Sequence, residues 1–154
     1  MADLVSLSEE DLAEVMRIER LPGYDAFIHS WTAEIHAAEL TSADARYFGY
    51  RAGAALAGFT ILQKFREPTV RLRRIAVDSP GAGAGTALLR DVVDWLFETS
   101  DAQALDLHVR PGNRRARHVY GREGFIQGGG DDLLGEGMIL TRPEWAALSR
   151  RTSA

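Results

Sequence analysis

The feature that most limits how this 154-residue chain can fold is a strand-like segment that passes through a glycine-rich turn into a helix. The strand is predicted to end with Ile75, Ala76 and Val77. The turn that follows consists of Gly81, Ala82, Gly83, Ala84 and Gly85, and the helix begins at about Thr86. Small residues before an apolar helix let an anion approach the unpaired N–H groups of the helix N-terminus. The segment therefore predicts a phosphate cradle, with a merely flexible loop as the alternative.

Two other phosphate-binding motifs can be compared with this turn. A P-loop requires a lysine directly before its Ser or Thr, whereas Gly85 stands before Thr86 and the turn has no lysine. A dinucleotide fingerprint requires a third glycine, and Thr86 or Leu88 occupies that position. The P-loop is excluded, and the dinucleotide interpretation is disfavoured because the turn follows a meander instead of a first strand.

The hydrophobic periodicity predicts one α/β domain. A period of two over residues 46–52, 55–64 and 69–77 predicts an antiparallel meander, and helical spacing places helices before and after it. The predicted order is β-α-α-β-β-β-α-β-α-β-β, with the second helix including Trp31 and running to about residue 40. We expect a single domain over residues 1–154, in which residues 142–154 are a short amphipathic piece and a frayed C-terminal tail.

Composition excludes several function classes. The chain has no cysteine, so a thiolate nucleophile and a Cys-based metal site are impossible. A net charge of −4 argues against a nucleic-acid partner. No apolar run is long enough for a membrane span, and the N-terminal residues lack the blocks of a signal peptide. These observations predict a cytoplasmic location.

A second segment, residues 109–125, completes a recognisable pair of motifs. It reads V-x-x-x-N-x-x-A-x-x-x-Y-x-x-x-G-F, with Asn113, Ala116, Tyr120 and Gly124 at the marked positions. Together with the glycine turn, which resembles a Q/R-x-x-G-x-G/A motif, it resembles the GNAT superfamily of acyl-CoA-dependent N-acyltransferases. The resemblance implies a GNAT-like fold with a splayed central sheet.

The resemblance also implies a function and its residues. It implies transfer of an acetyl group from acetyl-CoA to a primary amine of a small molecule or protein, by direct attack in a ternary complex. It implies that the cofactor arm is held by the backbone of Ile75, Ala76 and Val77 and by the segment around Asn113 and Ala116. The backbone amides of Gly81, Ala82, Gly83, Ala84, Gly85 and Thr86 would hold the pyrophosphate.

Tyr120 is the predicted proton donor to the leaving thiolate. The resemblance assigns this role, and the spacing of positions 113, 116, 117 and 120 places them on one helical face. A phenol with a pKa near 10 suits protonation of a thiolate. A tyrosine that only packs in the core is the alternative.

The chain departs from the family pattern at the start of the glycine turn. Pro80, Gly81 and Ala82 stand where the family usually carries basic residues. We expect backbone donors to bind the pyrophosphate, with Arg114 or Arg117 compensating for the lost charge, or else forming a solvated helix face.

The base that would deprotonate the amine is not evident. Many members of the family that the chain resembles carry a glutamate on the fourth strand, whereas residues 71–74 contain no acid. The candidates are on the fifth strand and the second helix: His108, Asp106, Glu34, His36 and Glu39. No His and acidic residues have convincing metal spacing, so no metal is expected. The missing acid leaves a non-catalytic acyl-CoA-binding module as the alternative function.

The acceptor amine is not identified by the sequence. Arg71, Arg73 and Arg74 either favour an acid-bearing substrate or face solvent. A homodimer is also left open.

Overall fold

The computed structural model describes residues 4–22, 24, 31–81, 83–128 and 136–153. The chain forms a mixed α/β fold in which seven strands make one sheet and helices cover both faces. The strands are β1 (Val5–Ser6), β2 (Arg46–Ala52), β3 (Ala55–Gln63), β4 (Thr69–Val77), β5 (Ala104–Val109), β6 (Ile126–Gln127) and β7 (Glu136–Thr141). The helices are α1 (Leu12–Glu19), α2 (Ala33–Leu40), α3 (Ala84–Thr99), α4 (Arg114–Arg122) and α5 (Arg142–Ser153), with a 3₁₀ turn (Glu9–Asp11) before α1.

The sheet contains one parallel pair of strands, and that pair separates along its length. The strand order is β1-β2-β3-β4-β5-β7-β6, and β4 and β5 are parallel. Their pairing covers Thr69 to Arg71 against Ala104 to Asp106 and goes no further. Beyond this point the two strands diverge, which confirms the predicted splay in the centre of the sheet.

A β-bulge lies in β4 at the point where the strands diverge. Ile61 pairs with Arg74, whereas the next residue, Leu62, pairs with Leu72, so Arg73 is the extra residue. An extra residue in one strand reverses the alternation of side chains after it. Arg71, before the bulge, and Arg74, after it, therefore project from the same face of the sheet.

The two faces of the sheet bury separate hydrophobic clusters. On one face α3 contributes a stripe at helical spacing, Leu88, Leu89, Val92 and Leu96, which packs on β4 and β5. On the other face α1 packs Val15 and Ile18 against β3. Burial on both faces holds the divergent strands in place while leaving the gap between them open.

Two elements differ from the sequence-based prediction. Helix α2 begins at Ala33 because the Thr32 side chain accepts a hydrogen bond from the Ile35 N–H at 3.2 Å. Trp31 therefore precedes the helix, and Phe27 and Ile28, which share its helical spacing in the sequence, lie outside the described residues. The predicted frayed tail is corrected as well, since Arg142–Ser153 forms α5 and Trp145 stacks on Phe97 with ring centroids 5.2 Å apart.

Candidate active site

A cavity of about 750 Å³ occupies the gap between β4 and β5. Its walls are the diverging strands, the turn before α3, the exposed face of α4 and the segment after α1. It brings together most of the residues singled out in the sequence: Ile75, Ala76, Val77, Gly81, Gly83, Gly85, Thr86, Asn113, Ala116 and Tyr120. The two motifs, separate in the chain, are therefore parts of one concave surface.

The glycine turn has the geometry of an anion cradle. Gly81 and Gly83 adopt positive φ angles of 92° and 84°, a region that L-residues with side chains rarely enter. The first hydrogen bond of α3 runs from the Ala87 N–H to the Gly83 carbonyl at 3.1 Å. The amides of residues 84–86 precede that bond and have no partner within the helix. Ala84 packs against the core, and Ala82 lies outside the described residues.

The edge of β4 is contacted by a side chain that the sequence analysis did not assign. The Tyr24 hydroxyl donates to the Val77 carbonyl and accepts from the Val77 N–H, both at 2.9 Å. The main chain of Val77 therefore faces away from β3, and by alternation so does that of Ile75. The main chain of Ala76 faces β3, opposite Phe59, so the predicted cofactor contact from the Ala76 backbone is corrected.

Helix α4 presents the second motif to the cavity. The Asn113 side chain caps the helix by accepting a hydrogen bond from the Ala116 N–H at 3.2 Å. Tyr120 lies one turn further on and is half-buried, with its ring 5.6 Å from that of Phe125. Burial, assisted by the nearby Tyr24, raises the pKa of Tyr120 to about 12. The phenol is thus fully protonated at neutral pH and can donate a proton.

The arginine that lies beside the glycine turn is not one of the two that were predicted to compensate for the missing basic residues of the turn. Arg117 pairs with Glu136 at 2.6 Å, and Arg114 is exposed. Arg115 lines the cavity, and its Nη2 lies 3.9 Å from the point that a Cβ on Gly81 would occupy. Of these three arginines, Arg115 is therefore the one that lines the cavity beside the cradle.

The arginines of β4 line the other end of the cavity. Arg71 forms a buried ion pair with Asp106 at 2.6 Å, and Arg74 forms one with Glu19 at 3.4 Å. Arg73 and Arg74 both stack on Trp31, with guanidinium carbons 5.3 Å and 4.3 Å from the ring centroid. Burial lowers the pKa of Arg74, but an arginine remains charged in the neutral range.

Most of the candidate bases are committed to other contacts or lie away from the cavity. His36 is fully buried between Glu19 at 2.9 Å and the Tyr47 hydroxyl at 2.7 Å. Asp106 is held by Arg71, and Glu39 accepts a hydrogen bond from Gln63 at 3.0 Å. Glu34 is exposed on α2. None of these four lines the cavity within the described part of the chain.

His108 is the candidate base that does line the cavity, on the face of β5 predicted for it. Its Nδ1 lies 3.3 Å from the Arg71 Nη1. A guanidinium can only donate, so this contact makes Nδ1 an acceptor and leaves the ring proton on Nε2. No carboxylate side chain is among the described residues that line the cavity.

Tyr24 is distant in sequence from both motifs, so only tertiary packing brings it to the site. Arg115 lies within the second motif, but the sequence does not distinguish it from the neighbouring Arg114 and Arg117. Over the described ranges, no cluster of three His, Cys, Asp or Glu side chains could hold a metal ion. The same ranges contain no helix that is both long and apolar enough to cross a membrane.

Comparison with known proteins identifies the family. A model described as the acetyltransferase (GNAT) family matches residues 12–125. No curated protein matches the chain. Among solved structures, an N-acetyltransferase (PaiA) from Thermoplasma acidophilum in complex with coenzyme A is similar at 19% identity, with a TM-score of 0.77 over 92% of this chain and 99% of that one.

Two further solved structures are similar over nearly their whole length. A ribosomal-protein alanine N-acetyltransferase from Escherichia coli has 25% identity and a TM-score of 0.71, covering 90% of this chain and 91% of that one. Spermidine N-acetyltransferase from Vibrio cholerae, in complex with CoA and spermine, has 17% identity and a TM-score of 0.76, covering 94% and 98%.

Proposed function

The chain belongs to the GNAT acetyltransferase family, and from this premise we propose that it transfers an acetyl group from acetyl-CoA to a primary amine by direct attack in a ternary complex. The observation that carries the proposal is the cavity between β4 and β5, which joins the anion cradle, the edge of β4 that faces away from β3, and Tyr120. The cytoplasmic location stays a prediction from the sequence.

The residues of the cavity fit coenzyme A from its diphosphate to its thiol. Gly81, Gly83 and the amides that open α3 would hold the diphosphate, with Arg115 supplying charge. The main chains of Ile75 and Val77 would bind the amides of the pantetheine arm along the edge of β4 that faces the gap, with the Tyr24 hydroxyl displaced from Val77. Asn113 and Ala116 form the opposite wall. Acetyl-CoA supplies the activated acyl group when it is bound.

Tyr120 would act as the proton donor. The amine nitrogen attacks the thioester carbonyl carbon, the carbon–sulfur bond breaks, and the sulfur takes the phenolic proton. The phenolate then recovers a proton from the acetylated nitrogen through water. Because the pKa of Tyr120 is raised to about 12, the phenol is protonated at neutral pH and its proton is available where the thiolate forms beside it.

The cavity offers a way to deprotonate the amine that needs no carboxylate. Positive charges near an ammonium group favour its neutral form. Arg71, Arg73, Arg74 and Arg110 line the cavity, and no acid is among its described lining residues. We infer that the ammonium group loses its proton to water and that the amine binds in its neutral form. If a protein base removes this proton instead, His108 is the candidate.

The dependence of rate on pH distinguishes these two routes. With a set of acceptors whose amines differ in pKa, the acid limb of kcat/KM should move with the amine, and His108→Asn should leave that limb in place. If the apparent pKa of the acid limb stays near the usual histidine range for every acceptor, and His108→Asn abolishes that limb, His108 is instead identified as the base.

A non-catalytic acyl-CoA-binding module is the second candidate, favoured by the lack of a carboxylate among the described residues that line the cavity. The two functions are separated by calorimetry with CoA together with a thiol-release assay over a panel of amines. Binding with turnover supports the transferase. Binding without turnover of any amine supports the module, and no binding of CoA contradicts both.

A further inference from the structure

Of the three arginines of β4, two have buried acidic partners and one does not. Arg71 pairs with Asp106 and Arg74 pairs with Glu19. Arg73 forms no ion pair with any carboxylate of the described residues, although it is half-buried and lines the cavity. The bulge at Arg73 places this guanidinium on the cavity side, over the Trp31 ring.

The surroundings of Arg73 are unfavourable for a cation that has no counter-ion. Burial lowers the pKa of Arg73 and the neighbouring Arg71 lowers it further, whereas Glu39 raises it and Arg110 adds a smaller lowering effect. Because an arginine cannot give up its proton in the neutral range, the charge remains, and the stacking on Trp31 offsets its desolvation without supplying a counter-ion. An anion at this point would be bound by a planar fork of donors.

The direction of the cofactor arm brings the reacting group toward Arg73. The diphosphate cradle follows the end of β4, and the arm would run back along Val77 and then Ile75. Two residues of strand span about 7 Å, so an arm that reaches Ile75 would bring the acetyl end toward Arg73, which lies two residues further back along the chain. The acceptor would then occupy the space between the acetyl group and the Arg73 guanidinium.

We propose that Arg73 binds a carboxylate of the acceptor, and therefore that the acceptor is a small amine that also carries a carboxylate a few bonds from its nitrogen. This assignment rests on the proposed acetyl transfer. It excludes polyamines as preferred acceptors, because a second ammonium group would lie among Arg71, Arg73 and Arg110. Arg73 is a specificity residue in this scheme, since it touches the substrate away from the reacting atoms.

Matched amines test the assignment in the thiol-release assay. β-Alanine and γ-aminobutyrate are compared with propylamine and butylamine, which lack the carboxylate, and with putrescine, which replaces it by an amine. The carboxylates should have the highest kcat/KM. Arg73→Gln should raise their KM about tenfold to hundredfold, the loss of one charge-assisted hydrogen-bonded pair, and Arg73→Lys should restore part of it.

The exposed Arg66, which pairs with Asp44 on the β3–β4 turn, provides the matched control. Arg66→Gln should leave every KM unchanged. Equal or better turnover of propylamine and putrescine, or a preference for carboxylates that survives Arg73→Gln, would overturn the assignment and leave the transferase intact.

A binding measurement decides the assignment even where no amine is turned over. Calorimetry in the presence of CoA compares N-acetyl-β-alanine with N-propylacetamide. If N-acetyl-β-alanine binds more tightly and Arg73→Gln removes this difference, the carboxylate site is supported whatever the catalytic result. Equal binding of the two, in the wild type and in Arg73→Gln, contradicts it.

Discussion

The contact between Tyr24 and the main chain of Val77 places a protein side chain where the cofactor arm is proposed to bind. The Tyr24 hydroxyl satisfies both the N–H and the carbonyl of Val77, at 2.9 Å each. Coenzyme A could bond to the same groups only after this hydroxyl moves. Tyr24→Phe removes the competing oxygen and keeps the ring, so it should strengthen the binding of CoA.

The size of the effect follows from the two hydrogen bonds. A neutral hydrogen bond contributes about 0.5–1.5 kcal/mol net, so the pair stabilises the contact by about 1–3 kcal/mol. Water in the cavity would bond to Val77 in the variant and recover part of this free energy. We therefore expect the lower end of the range, an affinity for CoA that rises about fivefold to tenfold.

Isothermal titration of CoA into the wild type and Tyr24→Phe measures the change directly. Tyr50→Phe is the control, because Tyr50 is also half-buried and its hydroxyl makes no hydrogen bond to Val77. Weaker binding by Tyr24→Phe alone would refute the competition and show that the hydroxyl contacts the cofactor. Equal changes in the two variants would refute it as well.

Three further predictions concern Tyr120 and the buried ion pair. Tyr120→Phe should lower kcat about 10²-fold to 10⁴-fold in the thiol-release assay without weakening the binding of CoA, and a near-normal kcat would contradict its role as the proton donor. Because burial raises the folded-state pKa of Tyr120 to about 12, above the value of about 10 for an exposed tyrosine, its contribution to stability should be complete below about pH 10 and lost as the pH rises toward about 12. Tyr120→Phe should therefore flatten that part of the alkaline unfolding curve. Glu19→Gln should cost about 3–5 kcal/mol in urea unfolding because it leaves Arg74 buried without its carboxylate, whereas Arg66→Gln at an exposed pair should cost less than about 1 kcal/mol.

The elements and the cofactor-facing segments could be predicted from the sequence because their signals are local. A period of two was enough to place β2 and β4 within the bounds that the structure shows, 46–52 and 69–77. The cap at Asn113 and the glycines at positive φ depend on residues only a few positions away. Helix α2 shows the limit of such signals, since the apparent helical spacing continued through Trp31 while the Thr32 cap begins the helix later.

An α/β domain with a strand, a glycine turn and a helix can be predicted from the chain alone, because each of these signals lies within a few neighbouring residues. Which side chains meet in the gap depends on the packing of distant elements. Tyr24 and Val77 lie 53 positions apart and Glu19 and Arg74 lie 55 apart, and such pairs depend on how the strands and helices pack. The bulge at Arg73 likewise depends on the register between β3 and β4, and it is this register that leaves Arg71 and Arg74 in ion pairs while Arg73 lines the cavity.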